Sequence, residues 1–288
     1  MTDKISVRVW GDWACFTRPE MKVERVSYPL MTPSAARGIL EAIFWEPQMY
    51  YLIDAVRVVR RGAWISFKRN EVTARISLTN ARSWMEGRKQ VTPIIAGGGA
   101  TDFTQRNTLA LQGVEYIITA EVRLTELGKK TGQKVQKYRD EVTRRAKSGK
   151  CFHRPCLGMR EFAADFDWEE DASTALQRRA AEMSDGWQAW GKDDLGLMLY
   201  DLFDQEDRAK GFRWLSATEK TAYKFERETR AAQLSKGEAK KLLKEALPEE
   251  EGTFIKPLAA FFHARVRDSV MECHPSRITL IRQNGGTH

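Results

Sequence analysis

The chain has 288 residues, 42% hydrophobic and 30% charged, which suits one large domain or two small ones and excludes a chain without a core. Its four cysteines, Cys15, Cys151, Cys156 and Cys273, form no CxxC pair, and no apolar run is long enough to span a bilayer. The formal net charge is +8, and the strand-like N-terminus lacks the apolar core of a signal peptide, so a reduced, cytoplasmic protein is expected.

Residues 5–10, ISVRVW, set Ile5, Val7 and Val9 against Ser6, Arg8 and Trp10, the period of a half-buried strand. Residues 31–47, MTPSAARGILEAIFWEP, predict a helix with Thr32 as N-cap, Pro33 at its first position and Pro47 beyond its end. Its stripe Ala36, Ile39, Leu40 and Ile43 faces a core. Residues 50–72 and 114–126, rich in β-branched and aromatic side chains, read as strands, and 94–111 between them as a glycine-rich loop. Val135, Tyr138, Val142 and Ala146 then mark one apolar stripe of a second helix, with Gly149 as its stop. Residues 157–166 return to strand.

This order predicts an α+β fold, a ferredoxin-like (RRM-like) βαββαβ domain over 1–166. A smaller C-terminal region is expected over 167–288. Within it, 193–203 reads as a buried strand or short helix. Ser216 with Glu219, and Ser235 with Glu238, fit capping boxes, and Pro248 follows, so a charged helical hairpin is expected within an insertion near 216–256. Residues 257–273 read as an amphipathic helix and 278–288 as a final strand with a frayed tail.

The charge is localised. Residues 123–154 carry eleven lysines and arginines against Glu126, Asp140 and Glu141, a local excess equal to the net charge of the whole chain. Such a tract on an otherwise balanced chain reads as a footprint for phosphates, against the plainer reading of a solvated helix face. Gly97, Gly98 and Gly99 fit neither a Walker loop nor a dinucleotide fingerprint. Cys151, His153 and Cys156 lie within six residues, but a fourth ligand could come only from remote Cys273, His263 or His274, so no metal and no cofactor is expected. Cleavage of RNA needs neither, because its 2′-hydroxyl can attack the adjacent phosphate once a group takes its proton and cations steady the transition state. Lys137 beside Tyr138 could serve, while Tyr138 as core packing needs no catalytic role.

Several blocks carry a resemblance: residues 7–47, RNEV at 69–72, TQRNTLAL at 104–111, KYRDEVTRRAKSGKCFHRPCLGMREF at 137–162 and DLGLMLYD at 194–201. Together they resemble the CRISPR-associated Cas-five family, Dvulg subtype, of type I-C systems, with a match over nearly all of 5–166. The resemblance implies a RAMP-type protein that cuts CRISPR repeat RNA without a metal and stays on the 5′ handle of the guide RNA in an effector complex. The family's catalytic trio is a tyrosine at the end of the first helix and an adjacent lysine and histidine near the second. These positions fall here on Phe44, Lys137 and Tyr138, so two of three groups depart from the pattern.

The expected catalytic residues are therefore Lys137, to stabilise the charged phosphate, and Tyr138, for proton transfer. Arg18, Lys22 and Arg25, with Arg139, Arg144, Arg145, Lys147, His153 and Arg154, are the expected RNA contacts. Expected partners are repeat RNA, the guide handle and the backbone and large effector subunits, with the charged hairpin as a docking element and no membrane. A non-catalytic subunit that caps the guide handle is the alternative. Contact with target duplex DNA near the protospacer-adjacent motif is compatible with either.

Overall fold

The computed structural model describes residues 4–100, 102–183, 188–203, 205–210, 217–244 and 259–282. Strand β1 (Lys4–Ala14) places Ile5, Val7 and Val9 in the core, as their alternation dictates. After the short β2 (Arg25–Val26), helix α1 (Pro33–Ile43) starts at Thr32, whose side-chain oxygen accepts the Ala35 N–H at 3.2 Å. It stops at Phe44, which turns extended. Strands β3 (Met49–Arg60) and β4 (Ala63–Val72) follow, then α2 (Leu78–Met85) and the 22-residue β5 (Phe103–Leu124). A short α3 (Glu126–Lys130) leads into α4 (Val135–Lys147) and β6 (Asp165–Glu169).

The order β3–β5–β1–β6, with every neighbour antiparallel, is the ferredoxin-like arrangement. The crossovers α1 and α4 pack on the sheet face that carries Val7, Val56 and Ile118. Helix α5 (Ala172–Glu182) covers part of the other face, closing Ala172 and Ala175 over Val59 and Ile117. Strand β4 is additional to this frame. It pairs with the N-terminal half of β5, and the two form a projecting arm whose side chains on β4 are mostly exposed.

The C-terminal region comprises β7 (Asp193–Asp201), α6 (Gln205–Lys210), α7 (Ala217–Ala231), α8 (Lys236–Lys244), β8 (Ala260–Arg267), β9 (Val270–Glu272) and β10 (Leu280–Arg282). Its strands extend the same sheet through β9, which pairs with β3. The boundary placed at 166 falls inside β6. Ser235 and Glu238 make one half of the expected capping box: the Ser235 backbone N–H donates to the Glu238 carboxylate at 3.3 Å, and Ser235 Oγ donates to the same oxygen at 2.6 Å. Ser216 of the first capping box, Pro248 and the tail beyond 282 lie outside the described residues.

Three expectations are corrected. The helix expected over 257–273 is replaced, from Ala260 to Glu272, by the β8–β9 hairpin, turning at Asp268 and Ser269 with φ of 49° and 63°. Phe103 to Leu111 belong to β5 rather than to a loop. Most of 157–164 is turn, and the strand starts at Asp165.

A buried ion cluster joins the C-terminal region to α1. The Arg37 guanidinium donates to both Asp201 carboxylate oxygens at 2.8 and 3.0 Å and to Glu41 at 2.5 Å. Arg208 of α6 donates to Glu41 at 3.0 Å and to the Tyr51 carbonyl at 3.1 Å. Tyr51 in turn donates its hydroxyl to the Phe44 carbonyl at 2.7 Å, so this cluster holds the end of α1.

Candidate functional site

The end of α1, the start of α4 and the segment after α4 meet at one place. Phe44 and Tyr138 stack, ring centroids 6.5 Å apart and planes inclined by 26°. Tyr138 is 1% exposed, as its place on the apolar stripe requires, and its hydroxyl is 3.2 Å from Gln133 Oε1, to which it donates. Burial pushes the Tyr138 pKa above its ordinary value. As placed, Tyr138 is packed and tied rather than free to take a proton at neutral pH.

Lys137 is exposed. Its ammonium donates to the same Gln133 oxygen at 3.1 Å and lies 5.0 Å from the centre of the Tyr138 ring. Gln133 therefore orients both candidate groups, and sequence reasoning missed it because the amide precedes the helix stripe. Arg145 lies over the outer side of the pair, 5.1 Å from the Phe44 ring centre. The backbone N–H of His153 donates to the Ala42 carbonyl at 3.0 Å, and that of Phe152 to the same carbonyl at 2.9 Å. Both cap the last turn of α1. Phe152 is 74% exposed, an aromatic within a cationic tract that was the available signal for a stacking platform.

The basic tract is less free than its sequence implies. Arg144 forks onto Glu141 at 3.0 and 2.7 Å, and Arg145 reaches the same carboxylate at 2.7 Å. Arg144 first, then Arg145, hold the Glu141 carboxyl down to about 2. Lys147 pairs with Glu170 at 2.6 Å and Arg154 with Asp165 at 3.1 Å. Lys147 and, more weakly, Arg139 hold Glu170 below the usual carboxylate range. These contacts are exposed, or half-buried for Arg145 and Glu141, and are worth little individually, so a phosphate can replace each carboxylate at small cost. Arg144, Arg145 and Lys147 also oppose the negative end of α4, which is their structural role.

Arg18, Lys22 and Arg25 are positioned by other elements. Arg18 lies 4.8 Å from the Tyr28 ring centre and 3.7 Å from Glu20, Arg25 is held by Glu71 of β4 at 2.5 Å, and Lys22 is exposed. Among the described residues, no group of three or more His, Cys, Asp or Glu side chains is arranged to hold a metal ion.

A ferredoxin-like sheet with a cationic second helix defines a fold class that hosts many functions; the family is given by the model described as CRISPR-associated protein (Cas_Cas5), which matches residues 5–267. The chain belongs to this Cas5d family. A protein of Mannheimia succiniciproducens named CRISPR pre-crRNA endoribonuclease Cas5d is 40% identical over 204 residues, 70% of this chain and 86% of that one. A Thermus thermophilus protein of the same name is 38% identical over 204 residues, 71% of this chain and 75% of that one. A solved CRISPR-associated protein superposes with a TM-score of 0.50 at 17% identity, covering 94% of this chain and 91% of its own. The uncharacterised SMU1763c of Streptococcus mutans gives 0.52 at 16% identity, with 98% of each chain covered. The two structures share the fold.

Proposed function

We propose that this chain is an endoribonuclease that cleaves CRISPR repeat RNA without a metal, leaves a 2′,3′-cyclic phosphate and stays on the 5′ handle of the guide RNA. The observation that carries this reading is the exposed Lys137 ammonium, fixed by Gln133 beside the Phe44–Tyr138 stack in a chain 40% identical to a protein named for that activity. The 2′-hydroxyl of one nucleotide attacks the phosphorus on its own 3′ oxygen, the P–O5′ bond breaks to leave the 2′,3′-cyclic phosphate, and solvent takes the hydroxyl proton and returns one to the departing 5′ oxygen. Lys137 and Arg145 offset the charge that builds on the phosphate oxygens, which is the term worth most in such a step. Tyr138 acts as a positioning residue through Gln133 and Phe44. Arg139, Arg144, Lys147, His153 and Arg154 hold flanking phosphates, and Arg18, Lys22 and Arg25 a more distant part of the strand.

The experiment is incubation of the protein with its own locus's repeat RNA in excess EDTA, with analysis of product ends. Site-specific cutting with a cyclic phosphate supports the nuclease. Tight binding with intact RNA selects the second reading, a cap on the guide handle, which the replacement of two proton-exchanging groups by Phe44 and buried Tyr138 favours.

Either way, the partners proposed are the backbone and large subunits of a type I-C effector, with the α7–α8 hairpin as a docking element, and duplex DNA near the protospacer-adjacent motif. The reading requires the cytoplasm; no helix among the described residues is long and apolar enough to cross a membrane. Backbone contact also has a salt signature. Arg139→Ala is expected to lower the slope of log affinity against log salt by about 0.7, the value for one single-strand phosphate contact, in a titration of repeat RNA.

A further inference from the structure

Beside the Phe44–Tyr138 cluster lies a cleft of about 800 Å³ that the cleavage chemistry does not use. One wall is the outward face of α1, where Ser34, Gly38 and Ala42 recur at every fourth position, opposite the buried stripe. The other wall is the segment after α4, with His153, Arg154 and Arg160. Phe16 and Leu199 belong to the lining, and Leu202 lies at it with 47% of its surface exposed. The volume lies within the roughly 300–1,000 Å³ of sites that enclose a small molecule.

We infer that this cleft accepts one unstacked nucleobase of the repeat RNA, next to the phosphate that is cut, and so contributes sequence discrimination. The inference rests on the reading of the chain as a repeat-RNA protein and adds a subsite to it. Position is the first argument. Ala42 lines the cleft, its carbonyl accepts the His153 N–H, and Phe44 follows two residues later, so a strand lying against Arg145 and Lys137 has its neighbouring nucleotide at the mouth.

Chemistry is the second argument. A base has flat apolar faces and a polar edge. The cleft offers apolar surface from Phe16, Leu199 and Leu202, and hydroxyls from Thr17 and Ser34 for the edge. Arg154 and Arg160 stand where the attached phosphates would pass. Exposed Phe152, edge-on to the His153 ring at 4.4 Å, offers a second stacking surface beside the mouth. The third argument is the helix wall itself: larger residues at 34, 38 and 42 would fill the cleft, and the small ones leave it open.

Gly38 supplies the test. A Cβ built there meets nothing within 4 Å, so Gly38→Leu occupies the cleft without displacing the fold, and leucine is the better helix former. Binding and cleavage are measured for Gly38→Leu and the unaltered protein, on intact repeat RNA and on a series with one abasic nucleotide each. For the unaltered protein, one abasic position near the cleavage site is expected to weaken binding about tenfold, in line with the loss of one stacked base. Gly38→Leu is expected to weaken binding of intact RNA by a similar factor and to bind that one abasic RNA as well as the unaltered protein does, a non-additive result that also shows the variant is folded.

Wild-type behaviour of Gly38→Leu on intact RNA overturns the inference, as does additivity with every abasic position. A nucleoside monophosphate added at millimolar concentration is the second arm. If it binds in a way that Gly38→Leu abolishes while RNA binding stays intact, the cleft serves free nucleotides and the inference fails. If the unaltered protein does not hold repeat RNA at all, the proposed function falls first and the subsite with it.

Discussion

Lys137→Ala is expected to lower the rate of repeat-RNA cleavage by a factor of about 10²–10³ while leaving RNA affinity within a few-fold of the unaltered protein. The ammonium is exposed and is held by a neutral amide rather than a carboxylate, so it has no counter-charge to give up before it meets a phosphate that gains charge only in the transition state. Ground-state affinity is spread over the other cations, each of which contributes one phosphate contact. Single-turnover cleavage beside a binding titration separates the two effects. Equal losses in rate and affinity would make Lys137 an ordinary backbone contact, and an unchanged rate would remove it from the chemistry. Gln133→Ala should follow Lys137→Ala in direction with a smaller effect, because it frees the ammonium without deleting it.

Asp201→Asn is expected to cost about 3–5 kcal/mol of stability, the largest single effect on the fold. The substitution keeps the shape and removes one charge, leaving Arg37 and Arg208 to share Glu41 in a buried setting. Burial first, then the neighbouring Arg37, already pull the Arg208 pKa below its usual value, which shows how little room the cluster has for an unmatched cation. Chemical denaturation read at the midpoint measures the loss. Replacing all four members by apolar residues of similar volume should come closer to neutral, because no charge is then left buried and unpaired. A midpoint unchanged in Asp201→Asn would mean that solvent reaches the cluster. Since the same cluster reaches Phe44 through Tyr51, the variant should also lose cleavage rate under conditions where it is still folded.

The ferredoxin-like core was legible because its signals are local and agree with one another. The Thr32–Pro33 start of α1, the alternation of β1 and the 135, 138, 142, 146 stripe of α4 each specify an element and its buried face. The β8–β9 hairpin was misread because Ala260, Phe262, Ala264 and Val266 satisfy a two-residue period within a window that also suits a helix. Its turn is Asp268–Ser269, a pair without the glycine that marks most two-residue hairpin turns. Helix α2 gave no signal because none of its residues is buried. At the candidate site, the burial of Tyr138 followed from spacing. Its stacking on Phe44 did not, since that depends on how α1 meets α4, and the partnering of Lys147 by Glu170 depends on a carboxylate 23 residues away.

Strand β5 is the shared neighbour of β1, β2, β3 and β4. Its consequence lies in the order of assembly. Until residues 103–124 have left the ribosome, the first hundred residues have no strand to pair with, and at roughly 5–20 residues per second that wait lasts on the order of 5–20 seconds after β1 emerges. The nascent chain therefore carries unpaired apolar edges through much of its synthesis, the stage at which a holding chaperone would protect it from edge-to-edge association.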